Sequence, residues 1–196
     1  GTLGICALIQ NKLNIDAVPH VLCETFTREE TEDFLIELHY LGIDNVFAVR
    51  GDISEHRKSL DGGRTRNEYA VDLVGQITAM NQARFLEDLD HASPTEFCIG
   101  AAGYPEKHID APSLTADVAR VKEKVDAGAE YIVTQMFFDN RHYFRFVDEC
   151  RRPVDGELTV AGAATGPETI DDSIAQGHAA AMSVLSEMHQ PIEKSA

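Results

Sequence analysis

The sequence predicts an α/β protein with a parallel sheet, because three features of its pattern agree. Short apolar, β-rich runs alternate along the chain with longer stretches of helical periodicity. The short runs are apolar on both faces, and each is followed by an amphipathic helix, as in parallel βαβ units. Polar residues gather directly after the strands, where such folds place their sites. No G-x-G-x-x-G follows the first four strands, which favours a (β/α)8 barrel of the TIM type over a dinucleotide-binding sheet.

The first half of the chain contains three predicted strands and two predicted helices. The strands are residues 17–23, 45–50 and 97–102. Thr27 and Glu30 have the spacing of a capping box, which predicts that a helix begins there, and Gly42 is a natural end for it. An apolar face of helical spacing marks the second helix at Tyr69, Leu73, Ile77 and Met80.

The next elements continue the alternation. A helix is predicted from about Ser113 to Gly128, and residues 131–135 form a fourth strand. The helix that follows has Tyr143, Phe146 and Val147 on its apolar face.

The tail from Pro153 onward differs in composition, since residues 1–152 contain all but one of the 17 lysines and arginines. We expect a strand at residues 158–162, a small-residue turn, and a helix from about Glu168 that ends at Pro191. Pro153 is therefore a predicted boundary between residues 1–152 and a strand-turn-helix tail at 153–196.

Composition limits the kinds of partner. The net charge is −16 and the pI is near 4.7, which argues against nucleic acid or an anionic membrane surface as a partner. No apolar run approaches the roughly 18 to 20 residues of a membrane-spanning helix, and the first residues lack the basic region of a signal peptide. We expect a cytoplasmic protein.

The cysteines, whose spacing predicts buried thiols and no metal site, are Cys6, Cys23, Cys98 and Cys150.

Five motifs occur in order on the predicted strands, helices and loops. They are PHVLC at 19–23, FAVRGD at 47–52, AGYPEKH at 102–108, KEKVDAGA at 122–129 and TQMFFD at 134–139. Over roughly residues 3–152 the chain thereby resembles the methylenetetrahydrofolate reductase family of flavin-dependent barrel enzymes.

The resemblance implies a reaction with two half-reactions. NAD(P)H or another reduced electron donor reduces a noncovalently bound FAD, and methylenetetrahydrofolate then accepts the hydride to become methyltetrahydrofolate, a step of one-carbon metabolism in methionine biosynthesis. The implied partners are the folate and the nicotinamide nucleotide, with no nucleic acid and no membrane. The protein is expected to be a homo-oligomer or a subunit of a redox complex.

The resemblance assigns catalysis to Asp52 and Gln135. A carboxylate at the position of Asp52 lies near flavin and folate in the family, where its charge would favour the cation that develops as the folate ring opens. Gln135 matches a folate-contacting glutamine, whose amide can both donate to and accept from the pterin. Without the resemblance, Asp52 as a loop cap and Gln135 as a satisfied strand-end residue are the simpler interpretations.

Further site residues also rest on the resemblance. Phe137 and Phe138 are substrate-binding candidates as an aromatic wall, with apolar packing an equal alternative for one of them. Asp117 and Lys124 are two helical turns apart and share one face, where Lys124 would suit the pyrophosphate; a solvated charge pair is the alternative. The cofactor-binding set is His20, Arg50, Gly51, Asp52, Tyr69, Ala70, Tyr104, His108, Asp117 and Lys124.

The sequence also departs from the family pattern. The family's general acid is a Glu on the first barrel strand, and no residue of this chain matches that motif. The proline- and glycine-bearing run that introduces later strands is absent as well, because Arg152 passes directly into Pro153. We therefore expect a partial barrel without its first and closing strands.

The tail has a likeness of its own. Residues from about 157 to 190 resemble the last FAD-contacting segment of heterodisulfide-reductase-type flavoproteins, in which a glycine-bearing turn leads into a helix. An ordinary alanine-rich closing helix is the alternative. A chimera, a fragment and a chain with omitted stretches all fit the sequence. The alternative function is a non-catalytic flavin- or folate-binding subunit of a larger redox complex.

Overall fold

The computed structural model describes residues 1–52, 60–151 and 159–161 of the 196-residue chain. The chain divides into two compact units, Gly1–Ala102 with Arg120–Glu130, and Gly103–Ala119 with Tyr131–Ala196. Within the described ranges, no helix is both long enough and apolar enough to cross a membrane.

The strands form a parallel α/β sheet, as the sequence predicts. They are β1 (His20–Leu22), β2 (Asn45–Val49), β3 (Cys98–Gly103), β4 (Tyr131–Thr134) and β5 (Thr159–Ala161). Their order in the sheet is the order of the chain, β1-β2-β3-β4-β5. His20 pairs with Phe47 and Asn45 with Cys98, while Tyr131 pairs with Thr159. Each strand falls within the segment predicted for it, or within one residue of it.

Helices separate the strands along the chain. They are α1 (Thr2–Leu8), α2 (Arg28–Tyr40), α3 (Ala70–Met80), α4 (Leu114–Asp126) and α5 (Asn140–Arg151). α1, which continues as a π-helix over Ile9–Leu13, was not expected from the sequence. It has seven residues and buries only Cys6 among them, so it carries too little apolar periodicity to be recognised.

The predicted start and end of α2 are confirmed. Thr27 Oγ1 accepts from Glu30 N at 3.2 Å, and a Glu30 carboxylate oxygen accepts from Thr27 N at 3.1 Å, which completes the capping box. Leu35 and Leu38 are fully buried. Gly42 has φ +68°, the left-handed conformation in which a glycine ends a helix without strain.

The first unit buries β2 on both faces, since Val46, Phe47 and Ala48 are consecutive and all buried. Val21, Val46 and Ala48 are inaccessible to solvent, and so are Leu73 and Ile77 of α3. Tyr69 differs from the expectation that it shares this apolar face. It is the N-cap of α3 and 60% exposed, because it precedes the first helical turn rather than lying within the helix.

In the second unit, Gly103 allows α5 to pack closely on the end of β3. An added Cβ at Gly103 would lie 2.7 Å from both Ile132 Cγ2 and Phe146 Cζ. Phe146 is fully buried and Cys150 nearly so, whereas Tyr143 is only half-buried.

The prediction of buried thiols is confirmed for all four cysteines, which are free and buried. Burial raises the pKa of Cys6, and it raises the pKa of Cys23, Cys98 and Cys150 to about 12. The Pro153 boundary and the tail helix from Glu168 lie outside the described residues, as do residues 53–59.

Candidate active site

The end of β2 is held in place by backbone contacts that continue past the strand. Glu24 N donates to Arg50 O at 3.1 Å, and Cys23 N donates to Val49 O at the same distance. Gly51 has φ +81°, and an added Cβ there would come within 3.0 Å of Leu22 Cδ2. Only glycine fits this turn without strain. The turn leaves Asp52 exposed at the carboxyl end of the strand.

Arg50 and Tyr69 are brought together in the first unit. The guanidinium carbon of Arg50 lies 5.6 Å from the centroid of the Tyr69 ring, within the range of a cation–π contact. Arg50 Nε is buried and, among the described residues, has no hydrogen-bond acceptor. A buried donor that lacks an acceptor is costly, so this geometry fits a bound ligand that supplies one.

Two further candidates in the first unit are Ala70, which lies next to Tyr69, and His20, which lies at the start of β1. Ala70 is the first residue of α3, directly after Tyr69. His20 opens β1, and its ring contacts Phe47 with centroids 4.9 Å apart. Because His20 pairs with Phe47 and not with the end of β2, the structure does not bring it beside Arg50.

Lys124 lies in the last turn of α4, and its side chain reaches the end of β3. Its Nζ donates to Ala102 O at 2.7 Å, so the ammonium group is held over the carboxyl end of that strand. A cation at this edge is well placed to attract an anionic group. Asp117 belongs to the other unit, and the structure gives it a separate role.

In the second unit, Tyr104, His108 and Asp117 form one cluster. His108 N donates to Asp117 Oδ2 at 2.8 Å, and Asp117 is only 5% exposed. The rings of Tyr104 and His108 meet edge to face with centroids 4.6 Å apart. Asp117 therefore ties the loop after β3 to α4.

The imidazole of His108 has a defined tautomer when it is neutral. Asp110 N donates to His108 Nδ1 at 3.1 Å, so Nδ1 provides the lone pair and Nε2 carries the proton. Nε2–H is consequently the donor that this ring can offer to a ligand.

The end of β4 carries Gln135. Its backbone N donates to Gly103 O at 2.8 Å, while its side chain is exposed. Beside it, Thr134 Oγ1 is buried and has no hydrogen-bond partner among the described residues. Sequence reasoning missed Thr134, although the same TQ motif contains it. This strand end therefore offers a hydroxyl and an amide to a ligand.

The two phenylalanines of the TQMFFD motif have different surroundings. Phe137 is 5% exposed and stacks on Tyr143 with ring centroids 5.3 Å apart. Phe138 is 84% exposed. Of the two, only Phe138 has a face open to a ligand, because Phe137 is part of the packing.

A polar cleft of about 620 Å³ lies elsewhere in the first unit, and no predicted site residue lines it. We place the candidate site at the strand ends instead, where parallel α/β folds bind their ligands and where Arg50 and Thr134 each bury a polar side-chain atom. Among the described residues, no group of three or more His, Cys, Asp or Glu could hold a metal ion.

The chain matches known proteins over the same region. The family whose sequence model matches is "Methylenetetrahydrofolate reductase", over residues 1–160. The chain is 33% identical over 149 residues to "5,10-methylenetetrahydrofolate reductase" of Pectobacterium carotovorum subsp. carotovorum, covering 76% of this chain and 43% of that protein. It is 34% identical over 160 residues to "Probable methylenetetrahydrofolate reductase (NADH)" of Oryza sativa subsp. japonica, covering 77% of this chain and 25% of that protein.

A solved structure matches in fold. The crystal structure of 2,3-dimethylmalate lyase, a member of the PEP mutase/isocitrate lyase superfamily, gives a TM-score of 0.56 at 11% sequence identity. The match covers 98% of this chain and 65% of that one. At this identity the likeness shows a shared fold alone. The chain spans less than half the length of the curated relatives described above.

Proposed function

Because the chain belongs to the methylenetetrahydrofolate reductase family, we propose that it reduces methylenetetrahydrofolate to methyltetrahydrofolate with a bound flavin and NAD(P)H. The observation that carries the proposal is the end of β2. There the buried Nε of Arg50 lacks an acceptor among the described residues, two positions before the exposed carboxylate of Asp52. A donor that needs an acceptor and an exposed carboxylate suit a ligand that is both polar and reactive.

The residues present fit FAD. Arg50 offers its buried donor, and Tyr69 offers the exposed part of its ring for stacking. In the second unit, His108 offers Nε2–H, and Tyr104 packs beside it. Lys124 supplies positive charge near Ala102 O. When bound, FAD supplies the hydride-transfer chemistry, and these residues bind and orient it.

The chemistry of the substrate falls to Asp52 and Gln135 in this proposal. Positive charge develops on methylenetetrahydrofolate as its five-membered ring opens, and the Asp52 carboxylate would stabilise that charge. The Gln135 amide can donate to and accept from the pterin, whose edge carries both kinds of group. Phe138 would cover one face of the substrate, and the buried Thr134 hydroxyl would contribute a further polar contact.

We also propose that the strands belong to a (β/α)8 barrel. The parallel order of β1 to β5 along the chain, with a helix between each pair of consecutive strands, supports this topology. Eight strands close such a barrel, and residues 1–152 would supply part of it. The folate and the nicotinamide nucleotide are the proposed small-molecule partners.

The test is a pair of half-reactions on the purified protein. We expect a flavin absorbance spectrum, and free FAD on acid treatment. In stopped-flow measurements, NADH or NADPH should bleach the flavin, and methylenetetrahydrofolate should restore its colour. A protein that binds flavin but is not reoxidised by the folate would instead be a non-catalytic binding subunit. A folded protein that cannot be loaded with FAD would contradict the proposal.

A further inference from the structure

The loop after β3 is closed by the ammonium group of Lys107. Nζ donates to three backbone carbonyls of the same loop, at 2.6 Å to Ala111 O, 3.0 Å to His108 O and 3.5 Å to Ile109 O. A lysine ammonium has three donors, and the three acceptors that it meets here all belong to this loop. Hydrogen bonds from an ionised donor are stronger than those between neutral groups. This is an unusual use of a lysine, whose ammonium group normally points to solvent.

The backbone of Lys107 is strained in a way that this arrangement explains. Its φ is +78°, in the left-handed region that costs a residue with a side chain about 1 kcal/mol or more. Such a conformation persists only where surrounding contacts impose it. Here Lys107 N donates to Tyr104 O at 3.0 Å, and the turn brings the side chain back over the residues that follow.

One of the three carbonyls that accept from Lys107 Nζ belongs to His108, a candidate ligand-binding residue. His108 is fixed through its N by Asp117 Oδ2 and through its O by Lys107 Nζ and by Ala111 N, the latter at 3.0 Å. Asp110, which orients the imidazole through Nδ1, lies inside the segment that the ammonium encloses. Removing the ammonium would remove one of the contacts that fix the His108 backbone, and it would loosen the segment that contains Asp110, whose N donates to the ring.

We propose that Lys107 is a positioning residue, whose ammonium group holds residues 104–111 so that His108 presents Nε2–H to the ligand. The identity of this ligand as FAD rests on the proposed function. The effect of Lys107 on the His108 ring is independent of that function. Lys107 touches neither substrate nor cofactor in this assignment, and it acts through the loop alone.

The experiment compares three variants of the full chain. Lys107→Met keeps the length of the side chain and loses the ammonium. Lys107→Gly also loses the ammonium, but a glycine adopts the positive φ without strain. This variant therefore separates the loss of the ammonium from the strain of the backbone. Lys122→Met is the control, because Lys122 pairs with Asp126 on the surface of α4 at 3.4 Å. Circular dichroism and thermal unfolding show whether each variant is folded.

Two readouts are measured. The first is the ¹⁵N chemical shifts of the His108 ring without ligand, which distinguish a single Nε2–H tautomer from a mixture. The second is the Kd for FAD, from quenching of flavin fluorescence. We expect both Lys107 variants to show mixed tautomers and a Kd raised roughly tenfold, since several charge-assisted hydrogen bonds are lost. Lys122→Met should match the unmodified protein in both.

Some results would overturn the assignment. If Lys107→Met keeps the single tautomer and the original Kd, the ammonium does not position His108. If Lys107→Gly behaves like the unmodified protein while Lys107→Met does not, backbone strain and not the ammonium is responsible. A chain that binds no FAD would contradict the proposed function, but the ring shifts would still test the role of Lys107.

Discussion

The guanidinium group of Arg50 lies over the ring of Tyr69, 5.6 Å from its centroid, although 19 positions separate them in the sequence. Arg50 ends the segment that continues β2, and Tyr69 is the N-cap of α3. The contact keeps the guanidinium at the end of the strand, with Nε buried. It therefore joins the two sides of the proposed flavin site in the first unit.

Tyr69→Leu is expected to weaken FAD binding, because it removes both the cation–π contact and the ring that would stack on the ligand. A cation–π contact at an exposed ring contributes about 0.5–1 kcal/mol, so we expect the Kd to rise several-fold. Tyr69→Phe should retain most of the affinity. The control is Tyr40→Leu, since Tyr40 is 88% exposed at the end of α2. Equal Kd values for Tyr69→Leu and Tyr40→Leu would show that the Tyr69 ring does not contact the cofactor.

Asp52→Asn is expected to slow the folate half-reaction more than the reduction of the flavin by NAD(P)H. In the proposed function the carboxylate acts on positive charge that develops on the folate, and a loss of about tenfold corresponds to about 1.4 kcal/mol of transition-state stabilisation. Stopped-flow absorbance separates the two rates. Because Asp52 is exposed, the free energy of unfolding should not change. Asp33→Asn, an exposed change on α2, is the control. Equal losses in both half-reactions would indicate a structural role for Asp52.

Gly103→Ala is expected to destabilise the protein, because the new methyl group would lie 2.7 Å from Ile132 Cγ2 and Phe146 Cζ. Overpacking of this kind costs about 1–3 kcal/mol. Gly75→Ala is the matched change within α3, where a Cβ meets nothing within 4 Å. It should stabilise the protein by about 0.5–1 kcal/mol through helix propensity. Urea unfolding measures both, and a Gly103→Ala variant as stable as Gly75→Ala would contradict the packing described for α5.

The buried thiols are expected to be unreactive in the folded protein. The thiolate is the reactive form, and burial raises the pKa of Cys23, Cys98 and Cys150 to about 12. A disulfide reagent at about pH 8 should therefore modify them slowly before denaturation and rapidly after it. Reaction of the native thiols at the denatured rate would show that the cysteines are accessible.

The same shifts give stability a pH dependence. The ordinary thiol pKa is 9.0, so the unfolded chain loses its thiol protons at lower pH than the folded one. The contribution to the free energy of unfolding is complete below pH 9.0 and decreases as the pH rises toward about 12. Urea unfolding across this range measures it. Cys98→Ala removes one of the contributing groups, so its stability should depend less steeply on pH.

Local pattern was enough to predict most elements of the fold. Thr27 and Glu30 defined the start of α2, Gly42 its end, and Gly128 the end of α4, because caps and left-handed glycines depend on neighbouring residues alone. The continuous apolar runs predicted a parallel sheet for a similar reason, since strands covered on both faces have no polar side. The short helix α1 escaped prediction because its pattern is too brief.

The sequence proposed candidate site residues, and it did not predict their contacts. The motifs contain Arg50, Tyr104 and His108, and the family resemblance added Tyr69 and Asp117 as candidates. The order of the motifs along the chain placed several of these residues at strand ends. The motifs did not indicate which of the two phenylalanines is buried. Phe137 is buried against Tyr143, and Phe138 is exposed. The motifs also gave no sign that Thr134 buries a hydroxyl without a partner among the described residues.

The sequence by itself determined the α/β class, the helix caps, the buried cysteines and the family, because these follow from local periodicity and from ordered motifs. Only the tertiary structure decided which polar groups already have partners. Asp117 is occupied by His108 N, Lys107 by three carbonyls of its own loop, and Lys124 by Ala102 O. The reason is physical: a hydrogen bond depends on positions in space to within a fraction of an ångström, and these positions are set by how the folded chain packs.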